Sequence, residues 1–340
     1  MHGRLQTAGE IVDIDCRVDW VWSLLAEGAG GGLVGAPVDG PPSTMRLLVE
    51  ADRRAFDDRR AVVLTRGARL AGTAVIFDDA CASGFSVHVQ PVGDQLLVTA
   101  RYHPEAKARA AAMLLRSRFH LIVRSVLIHY PALWWAGVHG RAPLHVSAFA
   151  SSAGAVLLAG PGGVGKSTLV AAELAAGSIA TSDNLAVSDG TEVFGVAEPI
   201  RSCAGTGRRV AYGRREAAWP AERALSVRPQ LIGVVQLREV SAASCEPILP
   251  DRASRSLLTG TFMAGELRRY WAFGATLAAG TGLGPAQPAV ETVARQLAAS
   301  LPCYLLTLAR TTSGSAKAVG SAPAPRMSEL LTAELDGDPR

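Results

Sequence analysis

Lysine is almost missing from this chain. Of its 34 basic side chains only Lys107, Lys166 and Lys317 are lysines, so the positive charge rests on planar, permanently ionised guanidinium groups. Asparagine occurs once, at Asn184, and no histidine follows His145. The five cysteines (16, 81, 203, 245 and 303) are odd in number, far apart and form no CxxC pair. That argues against a disulfide framework or a zinc site and fits reduced thiols. No stretch reaches the roughly 18 uninterrupted apolar residues of a membrane span. The nearest, 121–135, is broken by Arg124, His129 and Pro131. The start, Met1-His2-Gly3-Arg4-Leu5-Gln6, leads into Glu10, Asp13 and Asp15 rather than an apolar signal core. These absences lead us to expect a cytoplasmic protein with no membrane partner. A formal charge of +4 is too small to imply a nucleic-acid partner.

What is present is enough for a core: 340 residues, 49% of them apolar and 19% charged. Length alone favours two domains. A short strand is expected at 10–15, a helix around 20–27 and a Gly/Pro-rich loop ending at Pro42. Alternating or apolar runs at 61–65, 70–77, 85–90 and 95–100 predict strands. Apolar residues at helical spacing over 110–128 predict a helix that Tyr130-Pro131 stops. Trp134 and Trp135 read as core. From there the pattern changes to strand–loop–helix. Strands are expected at 145–150 and 155–159, joined as a hairpin, with a helix over 166–176 closed by Gly177. A strand at 178–182 leads to Asp183-Asn184, and a second hairpin turns at 188–190. Later strands are expected at 231–237 and 302–308, with a helix over 289–299. The fold class is therefore α/β, a mixed sheet with flanking helices preceded by a smaller α+β domain. The expected divisions are 1–140, 141–310, and 311–340 as a flexible linker and short terminal helix.

Gly160-Pro161-Gly162-Gly163-Val164-Gly165-Lys166-Ser167 satisfies the pattern G-x-x-x-x-G-K-[ST]. Backbone N–H groups must approach phosphate oxygens closely, which calls for residues without Cβ bulk and with unusual φ. The helix that follows adds the positive end of its dipole. Lys166 can place a compact charge on the terminal phosphates, and Ser167 can ligate Mg²⁺. With Thr168, these residues form the expected ATP-binding set. A lysine falling here by chance is improbable in a chain with three of them. Gly280-Thr281-Gly282-Leu283-Gly284 follows an alanine run instead of a strand and reads as a plain loop. No later strand ends in the metal-binding aspartate common among such nucleotidases: 231–237 runs into Arg238-Glu239, and 302–308 has none. LSGGQ-like and NKxD patterns are also missing. The strand that delivers a carboxylate is 178–183, directly after the loop's own helix.

The block from His145 to Asn184 resembles the core of bacterial HPr kinase/phosphorylase and its HPr-kinase-like relatives. The resemblance rests on a histidine opening a hairpin, then strand, phosphate loop, helix, glycine, strand and an Asp-Asp pair. Here His145 stands 15 residues before Gly160, and Asp183 stands 23 residues after it. It implies a P-loop kinase core in which Asp183 is the general base for the acceptor hydroxyl. His145 would lie beside the phosphates or support Asp183. Asn184 replaces the second aspartate; it cannot take a proton, but its carbonyl can ligate Mg²⁺ or hold Asp183, or it is a turn residue. Farther on, Glu198 would offer a metal-side carboxylate and Arg201 a phosphate-binding guanidinium, although the spacing there no longer matches. The C-terminal signature of HPr kinase is missing, and 45–140 looks like the lead-in of relatives from biosynthetic gene clusters.

The expected activity is transfer of the γ-phosphoryl group of Mg-ATP to a hydroxyl of a peptide, protein or small molecule. A basic segment (Arg201, Arg208, Arg209, Arg214, Arg215, Arg223) with Gly205, Gly207 and Gly213 could act as a lid or simply be solvated. Two alternatives stay open: a nucleotide-binding assembly or sensor subunit, and a phosphorylase running in reverse. A homo-oligomer is compatible with the sequence.

Overall fold

The computed structural model describes every residue except 36–39, 57–59, 152–153, 203–207, 210–214, 221, 241, 310–325 and 328–340. The chain is mixed α/β and divides into two compact units. One gathers Met1–Ala142, Val196–Trp219 and Glu266–Pro288; the other gathers Pro143–Gly195, Pro220–Gly265 and Ala289–Arg340. A smaller N-terminal domain followed by a continuous 141–310 domain is therefore not how the chain divides. Two later stretches return to the first unit and make it the larger one. The reason is packing: helix 270–281 lies on the first unit's own sheet, a pairing that local sequence cannot signal. The expected linker 311–325 and most of the terminal helix lie outside the described residues.

The first unit is built on an eight-stranded sheet of β1 (His2–Thr7), β2 (Glu10–Cys16), β3 (Met45–Glu50), β4 (Val62–Thr65), β5 (Ala68–Ala71), β6 (Ala74–Phe77), β7 (Phe85–Val92) and β8 (Gln95–Tyr102), in the order β1-β2-β3-β8-β7-β6-β5-β4. In β2 the residues alternate between buried and half-buried, as a strand with one face on a core requires. The run 70–77 is a hairpin rather than one strand. Gly72 takes φ +62 between β5 and β6, a conformation that favours glycine.

Its helices are α1 (Asp19–Gly28), α2 (Ala106–Leu114), α3 (Arg116–Arg124) and α4 (Tyr130–Val138), with a π-helical turn at Ser125–His129. Pro131 therefore does not stop the helix. It occupies the first turn of α4, where a missing N–H is tolerated, after a π turn that absorbs the register change. The stretch Arg116–Val138 has the length and mean hydropathy (1.3) of a membrane span, but 78% of its most apolar window is buried inside the protein. That is how a buried core helix reads. Trp134 and Trp135 are each 2% exposed, in the core as expected.

The second unit begins within β9 (Ala142–Leu144) and continues with β10 (Ser147–Ser151), β11 (Gly154–Ala159), α5 (Lys166–Ala175) and β12 (Ile179–Ser182). Next come β13 (Ala186–Ser188) and β14 (Val193–Gly195). The chain then passes through the first unit's small sheet of β15 (Ile200–Ser202), β16 (Arg208–Arg209) and β17 (Arg215–Ala217). It returns with β18 (Ser226–Val227), β19 (Leu231–Arg238), β20 (Ser244–Pro247) and α6 (Pro250–Met263). After α7 (Tyr270–Thr281), the helix on the first unit's sheet, α8 (Val290–Ser300) and β21 (Cys303–Ala309) complete it. The unit's main sheet runs β12-β10-β11-β19-β21-β20. Its central strand, Gly-Ala-Val-Leu-Leu-Ala, is apolar throughout, the composition of a strand covered on both faces. Gly177 closes α5 at φ +90, with Gly177 N–H donating to Leu174 O (3.1 Å) and Ser178 N–H to Glu173 O (3.0 Å).

Candidate functional site

β10 is antiparallel to both β11 and β12, so β11 and β12 are parallel and end at the same edge of the sheet. Two strand spacings put them about 10 Å apart. The glycine loop leaves that edge after Ala159, and Asp183-Asn184 leave it after Ser182. Between them β10 starts with Ser147, two residues after His145.

The loop's shape follows from its glycines. Gly160, Gly163 and Gly165 have φ of +139, +89 and +107, all in the region side-chain-bearing residues avoid. A Cβ on Gly160 would stand 2.8 Å from Val235 O, whereas Gly162 and Gly163 open onto free space. Gly165 is the N-cap of α5 and offers no side-chain cap; Thr168 and Leu169 N–H donate to its carbonyl oxygen (3.0 and 3.1 Å), and a helix start without a side-chain cap suits an anionic ligand. Lys166 is 5% exposed, and its Nζ donates to Gly160 O (2.7 Å) and Pro161 O (3.1 Å). Ser167 is half-buried, and Thr168, Pro161, Gly162 and Gly163 are exposed. Val164 is half-buried behind them.

The carboxylate side of the edge is held through its backbone. Asp183 and Asn184 form a bend, 2% and 7% exposed. Ser147 Oγ donates to Asp183 O (2.6 Å), and Ser182 Oγ donates to Leu185 O (2.8 Å) and Val146 O (3.2 Å). The buried His145 ring meets Asn184 Oδ1 through Nε2 (3.2 Å). His145 N–H donates to Thr261 Oγ1 (3.1 Å) on α6. The next residue up that helix, Gly260, lies against the loop: a Cβ there would stand 2.9 Å from Gly160 O. Loop, α6, His145 and the Asp183-Asn184 bend thus form one connected assembly.

Glu198 and Arg201 are placed elsewhere, in the first unit. Glu198 is 2% exposed, and its carboxylate lies 3.6 Å from the Arg201 guanidinium. Arg201 also pairs with Glu266 and lies 3.6 Å from Glu216. Glu216 takes a two-pronged bond from Arg124 (2.6 and 3.1 Å). Burial by itself lowers the pKa of Arg201, but Glu198, Glu266 and Glu216 together outweigh it and hold the guanidinium charged. Its charge is already met by carboxylates, as is that of Arg124. Arg223 donates to Thr181 O (3.2 Å) in the second unit. Gly205, Gly207, Gly213 and Arg214 lie outside the described residues, as do the side chains of Arg208 and Arg209.

The neighbouring strand β19 carries Gln236 at its end, its amide donating to Thr307 Oγ1 (2.7 Å); β19 itself contains no carboxylate. Among the described residues no group of three or more His, Cys, Asp or Glu is arranged to hold a metal ion. A magnesium ion held mostly by phosphate oxygens and water needs only one or two protein oxygens. The Ser167 hydroxyl, the Asp183 carboxylate and the Asn184 carbonyl are hard donors of that kind. The open backbone at Gly162 and Gly163, the uncapped helix and Lys166 fit a polyphosphate.

Sequence reasoning missed Ser147, Ser182 and Thr261, the hydroxyls that pin this edge. Ser147 and Ser182 carry a signal, as polar residues at the ends of apolar strands. Thr261 carries none, because the helix that bears it was itself missed. No protein-family model matches the chain, and no curated protein matches it in sequence.

Proposed function

We propose that the second unit is a P-loop phosphotransferase core of the HPr-kinase-like kind. In this reading the protein moves the γ-phosphoryl group of Mg-ATP to an alcohol, in the cytoplasm. The observation that carries the reading is the shared sheet edge. An uncapped helix behind a positive-φ glycine loop and a buried aspartate leave the same side of one sheet, two strands apart.

Loop N–H groups and Lys166 hold the β- and γ-phosphates, exchanging the lysine's bonds to Gly160 O and Pro161 O for phosphate oxygens. Ser167 and the Asn184 carbonyl would hold Mg²⁺, which supplies charge neutralisation on the phosphates. Asp183 accepts the acceptor's proton and aligns its oxygen. His145, against Asn184 Oδ1, helps to fix the bend that carries Asp183, which makes it a positioning residue. Glu198 and Arg201 take no part, since their charges answer each other. Catalysis of this type is mostly positioning and electrostatics.

Incubating the full chain with γ-labelled ATP and a panel of hydroxyl acceptors, against a water-only control, tests the proposal. Label should move to an acceptor in the wild type and not in Lys166→Ala. Release of phosphate to water at the same rate with and without every acceptor would instead favour a nucleotide-binding sensor or assembly subunit.

A further inference from the structure

A cavity of about 470 Å³ lies beside the loop, lined by Pro161, Leu249, Asp251, Arg252, Arg255, Ser256 and Thr259. That volume suits a small molecule. Apart from Pro161 and Leu249, the lining comes from one face of α6: positions 252, 255, 256 and 259 recur at helical spacing. Two guanidinium groups lie a turn apart on that face. Arg255 has only a long contact with Asp251 (3.4 Å), and both partners are strongly exposed (78% and 86%), so water and salt screen the pair. Arg252 makes no ion pair among the described residues.

The cavity also has a direction. Lys166 Nζ, which in such loops serves the terminal phosphates, rests on the carbonyls of Gly160 and Pro161. Pro161 is the loop residue that borders the cavity, so the cavity adjoins the end where a terminal phosphate would lie. Thr259 precedes Gly260, which touches the loop, and Thr261, which accepts from His145. The arginines stand toward the start of α6, four and seven residues before Thr259.

From this geometry we infer that the cavity receives the phosphoryl acceptor, and that the acceptor is a small anionic alcohol. Its carboxylate or phosphate sits on Arg252 and Arg255, and its hydroxyl points along α6 toward Thr259 and the loop. Guanidinium groups match the planar carboxylate and the phosphate in two-pronged fashion. Leu249 and Pro161 cover a short carbon skeleton between the two ends. This rests on the phosphotransferase reading for the identity of the guest as an acceptor, though anion binding in the cavity does not require nucleotide.

Arginine modification by phenylglyoxal, followed residue by residue by mass spectrometry on the full chain, tests the inference. The probes are D-glycerate and inorganic phosphate, with glycerol as the neutral control. Either anion should slow modification of Arg252 and Arg255 at least fivefold. Glycerol should not, and the exposed Arg228 and Arg295 should be unaffected by all three. Stronger protection by glycerate would assign a carboxylate acceptor; stronger protection by phosphate would assign a phosphorylated one. Equal slowing at Arg295, or none at Arg252 and Arg255, would overturn the proposal. Nucleotide binding is scored separately with a fluorescent ATP analogue against Lys166→Ala, so loss of the nucleotide reading and loss of the anion pocket are told apart.

Discussion

In the first unit, Arg124 and Arg201 are surrounded by Glu198, Glu216 and Glu266 at ion-pair distances. In the second, Lys166 bonds to two neutral carbonyl oxygens, and the Asp183-Asn184 bend is held by hydroxyls and an imidazole. Both regions bury charged groups. The difference lies in the oxygens that these hydrogen bonds use, carboxylates in one region and backbone carbonyls in the other. An arginine met by carboxylates has spent its field on the fold, and removing one partner leaves the other stranded. A lysine held by carbonyl dipoles can exchange them for a phosphate. Burial of an ionisable group is therefore not by itself a mark of a site; the nature of its partners is the better guide.

Four tests would break or sharpen this contrast. The largest expected effect is on rate: Asp183→Asn should lower phosphoryl transfer by about 10²–10⁴-fold, the usual contribution of a general base, with binding of an ATP analogue unchanged. Transfer at the wild-type rate would remove Asp183 from the mechanism. In the other region, Arg124→Met should act on stability, with a loss of about 3–5 kcal/mol for a broken buried pair. A urea titration reads this directly, and an unmoved midpoint would show that the network does not hold the first unit together. The third test compares glycines within one loop. Gly160→Ala meets Val235 O and an unfavourable φ, so the ATP-analogue affinity should fall at least tenfold. Gly162→Ala faces open space and should change it less than threefold; equal effects would mean that loop shape is not what binds. The smallest effect is a titration shift. Asn184→Asp puts a carboxylate against the His145 ring and should raise the pH at which the imidazole protonates, as followed by NMR. An unchanged titration would show that their contact does not govern the ring.

Much of the second unit's centre was readable in advance. The strand, glycine loop, helix, Gly177 stop and second strand each carry a local reason: apolar β-formers, residues free to take positive φ, and a C-cap. The helix α6 was not readable, although it lines the cavity and reaches His145. Its buried face is Ala253, Ser254, Leu257, Gly260 and Thr261, small and partly polar residues that produce almost no hydrophobic periodicity. Small residues are needed there because the helix approaches the loop backbone closely. Glu198 and Arg201 are linked to the loop only through the family resemblance, at a spacing that no longer matches. Their true partners, Glu216, Glu266 and Arg124, are far away in sequence and became visible only in the folded first unit.

The sequence by itself determined the local chemistry: one lysine of three at the head of a helix, glycines where the backbone must turn through positive φ, an aspartate and the only asparagine at the end of a strand. These depend on conformational preferences of neighbouring residues, which act over a few positions. The tertiary structure alone decided which charges meet. It returned 196–219 and 266–288 to the first unit, gave Arg201 its carboxylates, and laid α6 along the loop. Those outcomes depend on contacts between residues far apart in the chain, and the pattern of neighbours does not encode them.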